Sequence, residues 1–140
     1  MKIKIFYDNL DFRLKGWRKI KKVIEKVISE EGKISGDLNF IITDDNSLRK
    51  INAKYLKHNY FTDVISFDNS TDGRISGEVY ISLDRVKINS VNYNVSLEEE
   101  FVRVMVHGVL HLCGYCDNDK QTKSEMTTRE DNWLGVYYSF

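Results

Sequence analysis

The stretch SLEEEFVRVMVHGVLHLCGYCD, residues 96–117, predicts one capped helix that ends in a glycine turn. Ser96 and Glu99 form an S-x-x-E capping box, in which each side chain can satisfy a free backbone amide at the start of a helix. The helix is predicted to span residues 97–112. Gly114 can adopt the left-handed backbone conformation that ends a helix, so the chain is expected to fold back toward the residues that precede it.

Two of the three histidines in the chain, His107 and His111, lie four residues apart on this predicted helix. Residues at i and i+4 share one helix face, so the two side chains are close enough to hold one ion. Asp117 follows the glycine turn, and the spacing H-x3-H-x2-G-x2-D is that of a three-ligand zinc site. Three protein ligands leave one position for water, as in catalytic sites. The pattern predicts a metal site, and a pair of structural histidines is the plainer alternative.

Gly108, directly after the first histidine, bears on the kind of metal site. In H-E-x-x-H enzymes a glutamate at this position activates the metal-bound water, so the glycine disfavours peptide hydrolysis by that mechanism. Glycine inside a helix costs about 1 kcal/mol in propensity relative to alanine. A close approach by another strand or by a substrate would account for it.

The two cysteines, Cys113 and Cys116, have the C-x-x-C spacing of thiol redox motifs. Reactive pairs usually begin a helix, where the helix dipole stabilises the thiolate, whereas this pair falls where a helix ends. Redox chemistry is therefore disfavoured, and Cys113 is expected to be a small buried residue. Cys116 remains an alternative to Asp117 as the third metal ligand, because zinc readily accepts thiolate.

The composition, with 41% apolar and 30% charged residues among 140, is that of one globular domain spanning residues 1–140. The formal net charge is zero, so any site for a polyanion must be a local patch. The sequence shows neither a signal peptide nor an apolar run approaching the ~18 residues of a membrane span. Two cysteines too close in sequence to staple the fold suit a reducing compartment. We expect a cytoplasmic protein without a membrane partner, and the oligomeric state stays open.

Hydrophobic periodicity predicts four strands and four further helices. The strands are expected at 2–7, 36–43, 62–68 and 73–83, with the hairpin-turn signal NSTDG between the last two, and the helices at 13–31, 44–56, 84–93 and 119–137. The order βαβαββ followed by helices predicts an α/β or α+β fold, a single domain with a small mixed four-stranded sheet packed by helices.

At residues 107–117 the sequence resembles the YbeY family of bacterial metal-dependent endoribonucleases, also described as ribosomal RNA maturation factors. The family signature H-G-x-L-H-L-x-G-Y-D-H compares with HGVLHLCGYCD here. INAKYLKHNYFTDVISFD (51–68) is similar to the family's L-N-x-x-Y-R…T-D/N-V-L-S-F segment. ISGEVYIS (75–82) is similar to L-G-D-I-x-I-S, and EMTTRED (125–131) to the M-x-x-x-E ending.

This resemblance implies an α/β fold with a small mixed sheet, one zinc-like ion, and His107 and His111 as metal ligands. It also implies action on RNA, typically in 16S ribosomal RNA 3′-end maturation and ribosome quality control, with the small ribosomal subunit as partner. The third histidine of the family falls on Asp117. The negative charge of this carboxylate should make the bound ion a weaker Lewis acid than three neutral histidines would.

The arginine of the family falls on Leu56. Lys57 and His58 are expected to take its place as basic residues of the catalytic site, although neither is the same fork-shaped donor.

Other residues have both a functional and a plainer interpretation. His58 can contact a phosphate or be a surface histidine. Thr62 and Asp63 can line the cleft or form a turn. Glu100 can support the metal ligands or belong to an exposed acidic helix start. The lysines of 15–26 can follow a phosphate backbone or form a solvated helix face.

The sequence favours a metal-dependent hydrolase that cleaves single-stranded RNA during ribosomal RNA maturation. One Zn²⁺ or similar ion is expected, with the catalytic residues His107, His111, Lys57 and His58. A non-catalytic ribosome-associated factor with a structural metal is the rival of another class. A metalloprotease is a third interpretation, opposed by Gly108. No general base is evident in the sequence.

Overall fold

The computed structural model describes residues 2–140 and has the predicted order of strands and helices. The strands are β1 (Ile3–Tyr7), β2 (Ile34–Thr43), β3 (Val64–Asp68) and β4 (Arg74–Ser82). The helices are α1 (Trp17–Glu30), α2 (Asp45–Leu56), α3 (Leu83–Asn92), α4 (Leu97–Leu112) and α5 (Lys120–Ser139). None of the helices in this described part of the chain has the length and apolar character needed to cross a lipid bilayer.

The four strands form one mixed sheet in the order β1-β2-β4-β3, which confirms the predicted fold class. β1 and β4 both run parallel to β2, and β3 runs antiparallel to β4 at the edge. The turn between β3 and β4 has positive φ angles of 48° at Asp72 and 77° at Gly73. Two consecutive positive φ angles are typical of the type I′ hairpin turn, so the NSTDG signal is confirmed.

One face of the sheet forms the main core. Leu38, Phe40 and Ile42 alternate along β2 and are completely buried, which is the period expected of a strand with one buried face. α1 packs against β2 with its predicted apolar stripe, and α4 packs against β3 and β4. The buried residues of that stripe are Ile20, Val23, Ile24, Val27 and Ile28.

Aromatic rings lie on the opposite face of the sheet. The ring of Phe67 on β3 meets Tyr80 on β4 edge to face, with centroids 5.8 Å apart. Tyr55 on α2 meets Phe67 in the same way at 5.6 Å. α2 therefore lies over this second face.

α4 is the central helix, in contact with two strands and with α1, α3 and α5. The Ser96 hydroxyl accepts a hydrogen bond from the Glu99 amide at 3.0 Å, which confirms the predicted helix start. In a full capping box the Glu99 carboxylate would accept a hydrogen bond from the Ser96 amide. Here it accepts one from the Tyr138 hydroxyl of α5 at 3.1 Å instead. This bond ties the start of α4 to the final helix.

Four predicted boundaries are wrong by two to four residues: the starts of α1, β2 and β3 and the end of α5. α1 begins at Trp17 instead of residue 13, because Gly16 has a φ of 79° that is incompatible with a continuous helix. β3 begins at Val64 instead of residue 62. Thr62 and Asp63 lie in the loop before the strand and line the cavity described below, where the Asp63 carboxylate accepts a hydrogen bond from the Asn89 side chain at 3.3 Å.

Gly108 marks a close approach of α4 to the sheet. A β-carbon at this position would lie 2.8 Å from Cγ1 of Val79 and 3.2 Å from Oγ of Ser66. Ser66 and Val79 are paired across β3 and β4, and the Ser66 hydroxyl donates to the Gly108 carbonyl at 3.4 Å. The close approach expected from the sequence is therefore that of a strand, and the missing side chain makes it possible.

Gly108→Ala is expected to lower the free energy of unfolding by up to about 2 kcal/mol, because overpacking of about 1–3 kcal/mol exceeds the ~1 kcal/mol gain in helix propensity. Val79→Ala removes the methyl group that the new β-carbon meets. The double mutant should therefore be more stable than the sum of the two single effects predicts. Denaturant unfolding of all four proteins measures this coupling, and strict additivity would show that the contact does not limit the packing.

Candidate metal centre

The carboxyl end of α4 carries the turn that was predicted at Gly114. This glycine has a φ of 106°. The amide of Tyr115 donates to the carbonyl of Leu110 at 3.0 Å, and the amide of Gly114 to the carbonyl of His111 at 3.0 Å. These two bonds are those of a Schellman motif, which reverses the chain at a helix end.

The side chain of Tyr115 holds the returning chain in place. Its hydroxyl donates to a Glu31 carboxylate oxygen at 3.1 Å, and the Arg129 guanidinium lies 4.4 Å from the ring centre. Residues just after α1 and within α5 thus clamp the turn from two sides, so the segment that follows, including Asp117, returns toward α4 in a defined position.

Three side chains converge beyond this turn. The Nε2 atoms of His107 and His111 lie 3.0 Å apart. The Asp117 carboxylate lies 3.3 Å from the first of them and 3.4 Å from the second. Ligands held at ~2.0–2.1 Å in a tetrahedron around zinc lie about 3.3–3.4 Å from one another. The two carboxylate distances, each to a different oxygen, match these values, and the distance between the Nε2 atoms is slightly shorter, so the group is compact enough for such an ion.

The hydrogen bonds behind the two histidines fix their tautomers. Nδ1 of His111 faces the Tyr115 carbonyl at 2.9 Å, and Nδ1 of His107 faces a carboxylate oxygen of Glu130 at 2.7 Å. Both partners accept hydrogen bonds, so each histidine carries its proton on Nδ1. The two Nε2 atoms then face each other across 3.0 Å, a separation at which they can share either a proton or a cation.

Glu130 connects the histidine to a second ion pair. It lies on α5, its side chain is 8% exposed, and its other oxygen accepts from Arg103 at 3.0 Å. Arg103 also binds Asp131 at 2.7 Å. Burial opposes the charged form of His107, but the hydrogen bond and charge of Glu130, with further negative charge from Asp117, raise its pKa above the ordinary value. Glu130 therefore fixes both the orientation and the basicity of this ring.

The structure distinguishes the two candidates for the third ligand by position. In the chain from residue 2 to residue 140, the ligand atoms within 4.8 Å of one another belong to His107, His111 and Asp117. Cys116 is exposed and stands outside this group. Cys113 is half-buried. Burial is the main cause that raises its pKa to about 11, and the negative charge of Glu31 is the second. A thiol of that pKa is a poor nucleophile, in keeping with the prediction against redox chemistry.

A cavity of about 710 Å³ opens beside the three side chains. Its wall includes His58, Thr62 and Asp63, three residues that the sequence analysis considered for the cleft. Lys57 is different: it is exposed at the end of α2, outside the wall of this cavity. Lys123, in the first turn of α5, contributes a cation that no sequence pattern indicated.

A smaller cavity of about 240 Å³ lies behind His107 and is lined by Asp63, Glu100, Arg103 and Glu130. Glu100 is 2% exposed, and its Oε1 atom lacks a hydrogen-bond partner in the described residues. Burial raises its pKa to about 7. Glu100 therefore belongs to the interior beside the site and not to an exposed helix start.

The lysines of 15–26 lie elsewhere, on α1 and just before it. Lys19 is 4.2 Å from the ring centre of Tyr137, and Lys26 is 5.9 Å from that of Phe140. These cations contact the aromatic end of α5. They do not line the cavity beside the histidines.

The fold and the three converging side chains define a small α/β domain with a metal-type donor set at the end of its central helix. Comparison with known proteins then gives the family. The family described as Endoribonuclease YbeY matches residues 7–137, so the chain belongs to the YbeY family, as the sequence resemblance predicted.

Individual relatives support this membership over nearly the whole chain. Endoribonuclease YbeY of Flavobacterium psychrophilum is 41% identical and covers 95% of this chain and 95% of the relative. The protein of the same name from Christiangramia forsetii is 38% identical and covers 95% and 93%. A solution structure of a Thermotoga maritima protein, 23% identical, covers 98% of this chain and 89% of its own with a TM-score of 0.67. This likeness supports the fold alone.

Glu130→Gln is expected to weaken zinc binding by about 10- to 100-fold, the usual effect of losing a group that orients a ligand. The amide keeps the size of the side chain, but it loses the charge and turns an N–H toward either His107 or Arg103. Competition against a chromogenic chelator measures the affinity. Glu125→Gln, an exposed change on the same helix, is the matched control, and equal affinity in both variants would contradict the role of Glu130.

Gly114→Ala is expected to lower the free energy of unfolding by about 1–2 kcal/mol, because an L-residue is strained at positive φ, and to weaken zinc binding by shifting Asp117. Gly135→Ala is the control. Neither glycine has an atom within 4 Å of its would-be β-carbon, and Gly135, within α5, lacks the positive φ. Gly135→Ala should therefore raise the free energy of unfolding by up to about 1 kcal/mol. Equal stability of the two variants in denaturant would show that the turn tolerates a side chain.

Proposed function

We propose that this chain is a metal-dependent endoribonuclease that hydrolyses phosphodiester bonds in single-stranded RNA, with ribosomal RNA as its substrate. The observation that carries the proposal is the open donor set: two Nε2 lone pairs and one carboxylate converge at the wall of a cavity of about 710 Å³. Pockets of about 300–1,000 Å³ are typical of small-molecule sites, so the cavity can take a nucleotide.

His107, His111 and Asp117 would hold the ion. Their side chains are 21%, 30% and 36% exposed, and the group has three members among the residues that the structure describes. Structural zinc sites are closed by four protein ligands, whereas three ligands beside a cavity are typical of catalytic sites. The donor set therefore supports catalysis over a purely structural metal.

Zinc or a similar transition-metal ion is the proposed occupant. Two imidazole nitrogens and one carboxylate suit zinc, whereas magnesium prefers an octahedron of oxygen ligands. When bound, the ion would polarise a phosphate oxygen or lower the pKa of water.

The protein side chains would prepare the site for that chemistry. Glu130 and the Tyr115 carbonyl keep the Nδ1 protons of the two histidines in place, so that the Nε2 atoms stay available. Lys123 and His58 line the cavity, where positive charge attracts the phosphates next to the scissile one. Lys57, at the rim, would contribute to the same attraction at longer range.

Two other functions are less well supported. A non-catalytic factor with a structural metal is disfavoured by the open donor set. A metalloprotease is disfavoured because position 108 offers no carboxylate and its β-carbon direction points at Val79 of the sheet. The proposed setting of the nuclease is the cytoplasm, with the small ribosomal subunit as partner.

The decisive experiment combines elemental analysis with cleavage of single-stranded RNA by the same preparation. We expect about one zinc per chain and cleavage that a chelator abolishes and added zinc restores. Asp117→Ala should lose both the metal and the cleavage, whereas the adjacent Cys116→Ser should keep both. Asp117→His should restore metal binding.

Three outcomes would contradict parts of this proposal. Cleavage by metal-free protein would exclude a catalytic ion. Loss of metal in Cys116→Ser but not in Asp117→Ala would make the thiolate the third ligand. Zinc-loaded protein that binds ribosomal RNA without cleaving it would favour the non-catalytic binding factor.

A further inference from the structure

We propose that His58 and Tyr60 form a stacking platform for an unpaired nucleobase of the RNA strand in the cavity. The inference rests on the proposed function, because it names where part of the substrate binds beside the same site. Both residues line the cavity that His107 and His111 also line. A base on the platform would therefore belong to a nucleotide near the scissile phosphate.

The two rings form a preorganised pair. Their planes are 17° apart and their centroids 5.2 Å apart, and the Tyr60 hydroxyl lies 3.0 Å from Nδ1 of His58. Tyr60 is 56% exposed, and His58 is also exposed. A nucleobase can stack on an aromatic face that is already oriented with little loss of side-chain entropy.

A buried residue fixes the backbone beneath the platform. The Asn52 carbonyl accepts hydrogen bonds from the amides of Lys57 and His58. The Asn52 side-chain amide donates to the Tyr60 carbonyl at 3.1 Å, and Asn52 itself is 2% exposed. Both ends of the His58–Tyr60 segment are thus anchored to α2, while the rings stay in solvent. This is the arrangement of a surface prepared for a ligand.

Cations lie close to the platform, both at the next residue of the chain and on the cavity wall, which Asp63 and Asp117 also line. The next residue, Phe61, has the guanidinium groups of Arg49 and Arg85 at 5.1 Å and 4.8 Å from its ring centre. Lys123 adds a cation on the cavity wall. Arg85 is shared with Asp45, which it binds at 3.2 Å. Aromatic rings interleaved with cations are typical of surfaces that bind single-stranded nucleic acids without strong sequence preference.

The platform also offers a physical account of the residue that departs from the family pattern. Leu56 stands where the family has an arginine, and it lines the cavity next to His58 and Tyr60. Leucine cannot bind a phosphate, but it extends an apolar surface beside the two rings. In this chain, base stacking replaces part of the phosphate contact as the way in which the strand is held.

A thermodynamic cycle between one ring and one base tests the platform. The full-length, zinc-loaded protein is titrated with a fluorescent, 2′-O-methylated single-stranded oligouridylate, and with versions lacking the base at one position in turn. Tyr60→Ala should weaken binding of the intact strand by about 5- to 150-fold, the range for one stacked base. For the one strand that lacks the stacked base, Tyr60→Ala and wild type should bind with equal affinity, because the ring has then lost its partner.

Two controls separate stacking from other losses. Tyr60→Phe keeps the ring and loses the hydroxyl, so its affinity should stay within about threefold of wild type, far from the loss of a whole stacked base. Tyr138→Ala removes a similarly exposed tyrosine, 52% against 56%, on the final helix, and should not change affinity. The salt dependence should be the same in Tyr60→Ala as in wild type, because the ring releases no counterions.

The outcomes distinguish this inference from the proposed function. If wild type cleaves RNA but Tyr60→Ala binds every strand as tightly as wild type does, the platform is overturned and the nuclease assignment stands. If wild type does not cleave RNA but the ring and one base prove coupled, the nuclease assignment fails and the platform stands. The platform would also be overturned if Tyr60→Ala lost the same affinity, relative to wild type, for the intact strand and for every base-deleted strand.

Discussion

The contact between α4 and the sheet at Gly108 sets how closely the helix that carries His107 and His111 lies against β3 and β4. Because no side chain separates Gly108 from Val79 and Ser66, the helix lies directly on β3 and β4. His107, next to this contact, and His111, one helical turn further along, line the cavity that Asp63 reaches from the loop before β3. The helix propensity lost at Gly108 is accompanied by close packing of the helix that carries His107 and His111 against the sheet.

Asp117 stands where the sequence resemblance predicts a histidine, and its carboxylate changes the electrostatics of the candidate site. With two neutral imidazoles, Asp117 and a divalent ion, the donor set would carry one positive charge, and Glu130 behind His107 balances it. The ion would then attract a phosphate less strongly than in an all-histidine site. The cation Lys123 and the exposed rings of His58 and Tyr60 on the same cavity wall are consistent with a strand that is held more by its surroundings.

The parts of the site that could be predicted from the sequence are those set by local geometry. The i and i+4 spacing placed His107 and His111 on one face, and Gly114 had the positive φ that a helix end requires. Glu130 contacts His107 across 23 positions of sequence, so only the packing of α5 on α4 reveals it. The M-x-x-x-E ending was a signal for this residue, but its role could not be inferred without that packing.

The buried Glu100 carboxylate, whose Oε1 atom lacks a hydrogen-bond partner in the described residues, makes the stability of the native state depend on pH. The folded protein holds this proton up to a pH of about 7, whereas the ordinary pKa of the group is 4.5. A group whose pKa is raised by folding favours the folded state fully below its unfolded pKa, and that contribution is lost as the pH rises through the folded value. Near neutral pH about half of the molecules therefore carry an unpartnered negative charge behind His107, and this contribution to stability falls as the pH rises through about 7.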